Sequence, residues 1–182
     1  DPESSNDFGK NIIPAMLNAG EKMMAYSFEG YWKDVGTIQS LWEANMDLLG
    51  ETPVLTLSEE SWRIYSRHTA QAPQYVSAEA SVENSSVTAG CEIYGTVKNC
   101  VLGSGVKVMP GAYVKDCVLM GDTVIGSGAT VNYSIIDTGV EVGAGAIIGA
   151  SKDKAKGITV LGADITVPNG VVVEDGTIIS EL

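Results

Sequence analysis

Apolar residues recur every six positions from Val76 onward, and this short period constrains the fold more than any other feature of the chain. Glycine and alanine follow in step, as at 126–129 and 143–146. Such hexads are typical of a parallel β-helix, in which each hexad forms one short strand on a flat side of a triangular prism and small residues allow tight corners. The aliphatic positions are Val76, Val82, Leu102, Val108, Val114, Met120, Ile136, Val142 and Ile148, with five-residue steps interrupting the period.

We therefore predict a β-helix over residues 76–182. With three hexads per coil, this segment makes about six coils, stacked at about 4.8 Å per coil. Its inward aliphatic residues should form a narrow core, and its flat faces suit subunit packing. The loop 149–157 breaks the repeat and carries Lys152, Lys154 and Lys156. This loop is either a solvated excursion or an anion site for a phosphorylated effector.

The acidic composition excludes one class of partner. The 182-residue chain has a net charge of −12, and residues 1–68 carry 5 basic and 11 acidic side chains while residues 69–182 carry 6 and 12. Neither part suits a nucleic-acid polyanion. Aliphatic runs such as 171–173 are far shorter than the roughly 20 residues that cross a bilayer. We expect a soluble, cytoplasmic protein without a membrane segment.

The cysteines and the single histidine show no metal or disulfide pattern. Cys91, Cys100 and Cys117 are spaced by 9 and 17 positions, so they form neither a CxxC-type signature nor an even set for disulfides. We expect reduced thiols within a packed wall. His68 lies in a polar connector, where a surface or capping role is expected.

The first 50 residues have the pattern of the end of an α/β domain. We predict a helix from Gly9 to Ala19, kinked at Pro14 and ended by Gly20, followed by a strand from Met23 to Phe28. A second helix should begin after Thr37, which is a good N-cap. Its apolar face and its αL C-cap are predicted at Ile38, Leu41, Trp42, Leu48, Leu49 and Gly50. Residues 51–75 form a linker, and we expect it to pack because it contains Trp62 and Tyr65.

Asp34 is the candidate functional residue, because it lies where the predicted strand leads into the second helix. Carboxylates fixed at strand ends of α/β folds are typical ligand or metal positions. The alternative is a structural role, in which Asp34 caps the turn or pairs with Lys33.

Four segments of the chain share a pattern with a known family: residues 7–14, 31–37, 41–45 and 62–65. In order and spacing they resemble bacterial ADP-glucose pyrophosphorylase (glucose-1-phosphate adenylyltransferase), and with the repeats they cover nearly the whole chain. The resemblance begins late in the family's catalytic domain, without its Gly-rich nucleotide loop and its sugar-phosphate-binding residues.

This resemblance implies a fold and an activity. Residues 1–50 would be the α/β tail of a nucleotidyltransferase domain, and residues 76–182 would wind as a left-handed β-helix. The complete enzyme would join ATP and glucose 1-phosphate to give ADP-glucose and pyrophosphate, with Mg²⁺ as cofactor, in a homotetramer controlled by metabolites. Asp34 would be catalytic, as one of two metal-binding aspartates. We expect the 182-residue chain alone to be inactive.

Two other functions are compatible with a β-helix. A non-catalytic regulatory paralogue of the same enzyme, which can associate with the catalytic subunit, could retain Asp34 as well. A hexapeptide-repeat acyltransferase is less favoured, because such enzymes usually carry a catalytic histidine on the helix and no histidine follows His68 in this sequence.

Overall fold

The computed structural model describes residues 2–57, 60–61, 63–65 and 70–180. Trp62 and His68, for which packing and surface roles are predicted, lie outside the described residues. The chain forms two compact units, one up to Trp32 and one from Lys33 onward, and each is described by itself. The division falls inside the segment predicted to end at residue 50.

The first unit contains one interrupted helix. A π-helical turn, Phe8–Ile12, leads into helix α1, Ile13–Asn18, and the Asp7 Oδ1 atom accepts the Lys10 N–H at 2.7 Å. Pro14 lies in the first turn of α1, where a missing N–H breaks no helical bond. Gly20 follows with a φ of +70°. The helix predicted from Gly9 to Ala19 is thus confirmed, with its change of winding next to Pro14.

The strand predicted from Met23 to Phe28 is wrong. This segment forms no regular element and pairs with no strand among the described residues. Met24 and Tyr26 are 87% and 89% exposed. A strand exists only through its ladder of backbone hydrogen bonds, so the apolar pattern by itself does not produce one.

Helix α2, Ile38–Met46, opens the second unit, and its predicted N-cap is confirmed. The Thr37 Oγ1 atom accepts the Ser40 N–H, and the Ser40 Oγ atom accepts the Thr37 N–H, both at 3.1 Å. The helix ends earlier than predicted, since its C-cap is Asp47. Leu49 follows in a tighter turn, with its N–H bonded to the Met46 carbonyl, so Gly50 does not cap the helix.

Among the described residues, eighteen short strands follow α2 and lie in three parallel sheets of six strands, and the first, second and third sheets contain the first, second and third strands of the chain, respectively. Each coil contributes one strand to each sheet, which confirms the predicted parallel β-helix of six coils. The strands are β1 (Tyr75–Val76), β2 (Ser81–Glu83), β3 (Ser86–Val87), β4 (Glu92–Ile93), β5 (Thr96–Lys98), β6 (Val101–Leu102), β7 (Lys107–Val108), β8 (Tyr113–Lys115), β9 (Val118–Leu119), β10 (Val124–Ile125), β11 (Thr130–Asn132), β12 (Ser134–Ile136), β13 (Glu141–Val142), β14 (Ile147–Ile148), β15 (Thr159–Leu161), β16 (Thr166–Val167), β17 (Val172–Val173) and β18 (Ile178–Ile179).

The core of the β-helix follows the hexads with two corrections. Six of the predicted inward positions are fully or almost fully buried: Leu102, Val108, Val114, Ile136, Val142 and Ile148. The inward position predicted for Met120 is wrong, because a five-residue step after Val114 puts Leu119 inside and leaves Met120 half-buried. Val76 and Val82 are 47% and 38% exposed, since the first coil has a neighbouring coil on one side only.

The three cysteines are free and fully buried, as predicted. Cys100 and Cys117 lie in adjacent coils, where the Cys117 N–H points to the Cys100 Sγ atom at 3.4 Å. Burial raises the pKa of the Cys117 thiol well above its ordinary value, so this thiol stays protonated. These side chains therefore act as small apolar groups in the wall.

The linker packs near its start but not at Tyr65. The Leu55 N–H donates to the Asp47 carbonyl at 3.2 Å, and Leu55 lines a shallow groove together with Leu48 and Ser86. Tyr65 is 85% exposed, so the packing predicted for this aromatic is wrong.

Candidate functional site

Asp34 lies three residues before the N-cap of α2, in an exposed turn. Its Oδ1 atom accepts the backbone N–H of Gly36 at 3.1 Å, which is the hydrogen bond of an Asx turn. Asp34 therefore has the capping role considered from the sequence. The Oδ2 atom makes no hydrogen bond within the described residues, and it is left to face solvent or a ligand.

Lys33 does not pair with Asp34. Its Nζ atom lies 3.2 Å from Glu43 Oε2 and 3.1 Å from Asp47 Oδ2, so it joins the turn to two carboxylates of α2. Desolvation lowers the pKa of Lys33, but hydrogen bonds to Asp47 and Glu43 outweigh this effect and raise it. Hydrogen bonds from Gln39 and Lys33 lower the pKa of Glu43. The segment on either side of Asp34 is thus tied to the same helix.

The chemistry of the Asp34 carboxylate suits the role of one oxygen ligand of a magnesium ion. Mg²⁺ prefers oxygen ligands and needs one or two protein carboxylates beside phosphate oxygens and water. The Asx turn fixes one carboxylate oxygen and exposes the other. No group of three or more His, Cys, Asp or Glu side chains suited to a metal ion occurs in the described part of the chain.

Helix α2 is docked on the β-helix by Trp42, which is 4% exposed. The Trp42 Nε1–H donates to the Asp116 backbone carbonyl at 2.8 Å. The Trp42 and Tyr133 rings meet edge to face, with 5.1 Å between their centroids. Val118 and Ile135, on the outer face of the third sheet, and Ile158 after the loop 149–157 complete the buried cluster around these rings.

Contacts at its two ends align α2 with successive coils. The Tyr133 hydroxyl and Gln39 Oε1 lie 3.1 Å apart at the first turn of the helix. At its end, Asn99 Nδ2 donates to the Met46 Sδ atom at 3.7 Å. Tyr133 could not be recognised from the hexad pattern, because it lies 94 residues from Gln39 and the pattern marks only inward positions.

Tyr133 occupies a corner where the backbone is left-handed. Asn84, Asn99, Asp116 and Tyr133 occupy equivalent corners of successive coils, with φ between 42° and 56°. Asparagine and aspartate tolerate this conformation, whereas a bulky residue is strained in it. The presence of tyrosine at one corner was the signal that could have identified the docking point of α2.

The lysine-rich loop lies beside this cluster. The Lys152 Nζ atom is 4.4 Å from the centroid of the Trp42 ring and 5.9 Å from that of Tyr133. Lys152 also lines an open pocket of about 550 Å³ together with Lys115, Asp116 and Asp153. The structure therefore brings Lys152 next to Lys115 of β8 in this pocket, and Lys154 and Lys156 are not among its lining residues.

None of the described helices combines the length and the apolar character needed to span a bilayer.

The fold is that of a hexapeptide-repeat β-helix preceded by a helix whose turn presents an aspartate. Residues 71–173 match the model of the GlmU-like, C-terminal hexapeptide family, and the chain belongs to this family. Residues 1–51 match the nucleotidyl transferase model.

Curated relatives give a more specific similarity, and they confirm the resemblance found in the sequence. Proteins named glucose-1-phosphate adenylyltransferase from Bacillus mycoides (strain KBAB4) and Bacillus cereus (strain ATCC 10987 / NRS 248) are 56% identical to this chain over 113 residues. The same identity holds for the protein of that name from Bacillus thuringiensis (strain Al Hakam). The match covers 62% of this chain and 30% of each relative, so the chain spans about a third of their length.

Proposed function

We propose that this chain is the C-terminal part of a glucose-1-phosphate adenylyltransferase. The complete enzyme would form ADP-glucose and pyrophosphate from ATP and glucose 1-phosphate, as a step towards glycogen. The 56% identity to proteins of that name supports this assignment. The structural observation behind it is the Asp34 turn, which is held at the N-terminus of a helix docked on the β-helix.

In this reaction an oxygen of the sugar phosphate attacks the α-phosphorus of ATP, and pyrophosphate leaves. Both reactants are anions, so the enzyme works mainly by positioning them and by stabilising the charge that develops. Bound Mg²⁺ would supply that positive charge. Asp34 would contribute one carboxylate ligand, and its hydrogen bond from Gly36 would hold that carboxylate in a fixed orientation.

The catalytic assignment is favoured over a regulatory paralogue, because Asp34 is kept in an exposed and oriented turn. A regulatory subunit could retain this residue without using it, so kinetics must decide between the two. The acyltransferase alternative lacks a histidine in the β-helix sequence.

Three further properties belong to the same proposal. The enzyme would be cytoplasmic, and it would assemble as a homotetramer through the β-helix. Ile147 and Val172 support the assembly, since they are paired neighbours on the outer face of the second sheet and are 44% and 63% exposed. The loop with Lys152, Lys154 and Lys156 would be the candidate effector site, and Lys152 has the pocket beside it.

The test uses the longer protein that carries this chain behind its nucleotidyltransferase residues. Asp34→Asn should lower kcat at least about a hundredfold, as expected for a lost charge-stabilising contact. Oligomer size and thermal unfolding should stay unchanged, because Asp34 is exposed. Glu51→Gln is the matched control, since Glu51 is an exposed carboxylate of the linker. Near-normal turnover of Asp34→Asn at saturating Mg²⁺ would remove Asp34 from the metal site.

The 182-residue chain itself should make no ADP-glucose. One oriented carboxylate cannot gather and align two anionic substrates. A coupled pyrophosphate-release assay should stay at background, and calorimetry should detect no saturable Mg-ATP binding below millimolar concentrations. Clear turnover by the purified chain would refute the assignment of the chemistry to upstream residues.

A further inference from the structure

Tyr133 is in a backbone conformation that does not suit it. Its φ of 42° is left-handed, and its ring is 8% exposed. The equivalent corners of the preceding coils carry Asn84, Asn99 and Asp116, which tolerate this conformation. Asparagine at this corner would therefore impose less backbone strain on the β-helix than tyrosine does. The contacts that the tyrosine ring makes with α2 give a reason for its presence.

Those contacts lead to the Asp34 turn in few steps. The Tyr133 hydroxyl meets Gln39 in the first turn of α2, and the ring edge meets Trp42 one turn later. The first turn is joined to Thr37 by the capping box. Three residues before Thr37, Asp34 is tied to Gly36 by the Asx hydrogen bond. The capping box and the Asx hydrogen bond lie within one continuous segment, so a displacement of α2 would displace Asp34.

Lys152 also contacts this cluster, since its Nζ atom lies near both aromatic rings. Its ammonium group lies 4.4 Å from the centroid of the Trp42 ring, within the range of a cation–π interaction. The loop that carries it follows β14, where the chain leaves the regular coil. Trp42 is thus held between the corner of one coil and the loop of the next.

We infer that Tyr133 and Lys152 are positioning residues for the Asp34 carboxylate, acting through Trp42 and helix α2. The inference deepens the proposed function, because it makes part of the β-helix a support for the metal ligand and not only an assembly module. Neither residue needs to touch substrate for this role.

Tyr133→Asn separates positioning from structural support. Asparagine suits the left-handed corner, so relief of backbone strain offsets part of the ring's lost burial, and the β-helix should still unfold cooperatively. The same change removes the ring contact and the bond to Gln39, so amide hydrogen exchange over residues 36–46 should accelerate at least tenfold. Asp164→Asn, at an exposed left-handed corner between β15 and β16, is the control and should leave this exchange unchanged. Unaltered exchange in Tyr133→Asn would overturn the inference.

Lys152→Met tests the contact of this residue with the cluster. The substitution keeps an apolar stem and removes the charge, so exchange over residues 36–46 should accelerate by about threefold, as expected for an exposed cation–π pair. Lys154→Met, in the same loop, should have no effect. Equal exchange in the two variants would exclude Lys152 from a positioning role.

Kinetics of the longer protein then connect the cluster with the metal site. Tyr133→Asn should raise the Mg²⁺ concentration for half-maximal rate at least several-fold, and Asp164→Asn should not. Asp34→Asn in the same assay distinguishes two failures. If Asp34→Asn abolishes activity while Tyr133→Asn leaves the Mg²⁺ dependence normal, the positioning inference fails. If Asp34→Asn itself has no effect, the proposed metal role fails, and the exchange data still show whether Tyr133 holds α2.

Discussion

Replacement of Val114 by aspartate tests the register of the β-helix quantitatively. Val114 is fully buried in β8 and stacks between Val97 and Val131 of the adjacent coils. Loss of the buried valine costs about 2 kcal/mol. The new carboxyl group cannot ionise in this core, and keeping it protonated at pH 7 costs about 4 kcal/mol, because its unfolded pKa is about 3.9 and each pH unit is worth about 1.4 kcal/mol. The total of about 6 kcal/mol is comparable to the whole stability of many domains.

The pH dependence identifies the origin of this loss. The folded pKa of a buried aspartate is raised, so the protonated native state is favoured at low pH and the penalty grows as pH rises above the unfolded value. The deficit relative to the unsubstituted chain should therefore shrink by about 2.7 kcal/mol between pH 7 and pH 5. Urea unfolding followed by circular dichroism measures this difference.

The neighbouring residue supplies the control. The side chain of Lys115 lies on the outer face of the same strand, so Lys115→Asp should cost less than about 1 kcal/mol. If Val114→Asp does not fold at pH 7, Val114→Ala should still show a loss of about 2 kcal/mol with no dependence on pH. Equal tolerance of aspartate at positions 114 and 115, or a deficit that is the same at both pH values, would refute the register.

Two further predictions concern the glycine corners and the surface charges. Gly149→Ala should destabilise the β-helix by more than about 2 kcal/mol, because φ is +68° and a Cβ atom would collide with the Asn132 carbonyl. Gly145→Ala should cost about 1 kcal/mol, because φ is +67° but a Cβ atom there would meet open space. Thermal unfolding of both variants measures the difference, and equal losses would contradict the steric argument. Hydrogen bonds from Lys107 and Tyr94 lower the pKa of Glu92. The contribution of Glu92 to folding stability is therefore present above pH 4.5 and is lost as the pH falls through the lower pKa of the folded state. Glu92→Gln should therefore reduce stability at pH 7 but not at pH 2, and an equal loss at both pH values would show that the effect is not electrostatic.

The fold of the β-helix could be predicted because its signals are local. Each hexad marks its own strand, and small residues mark the corners, so the coils followed from the period alone. Met120 was misplaced because a five-residue step moves the inward position by one residue, and the sequence does not show which residue the corner omits. The strand predicted over residues 23–28 was wrong because a strand needs a partner strand, and the apolar pattern of one segment gives no information about a partner.

The candidate site was predicted in part. The Thr37 cap and the Asp34 turn are encoded within a few residues, and the sequence placed both. The contacts of Trp42 with Asp116 and Tyr133 join residues far apart in the chain, and no short-range pattern connects them. The lysines of the loop were grouped by their spacing, whereas the pocket pairs Lys152 with Lys115 of a different coil.

The contacts of α2 determine where the length of this β-helix can change. The helix touches corners of three successive coils, at Asn99, Asp116 and Tyr133. Removing one of these coils would shorten the distance between its anchor points by about 4.8 Å, the spacing between neighbouring strands, and α2 could no longer reach all of them. The described residues of the last coil, from β16 to β18, belong neither to these contacts nor to the buried cluster around Trp42, so a coil could be gained or lost at that end while the Asp34 turn stays in place.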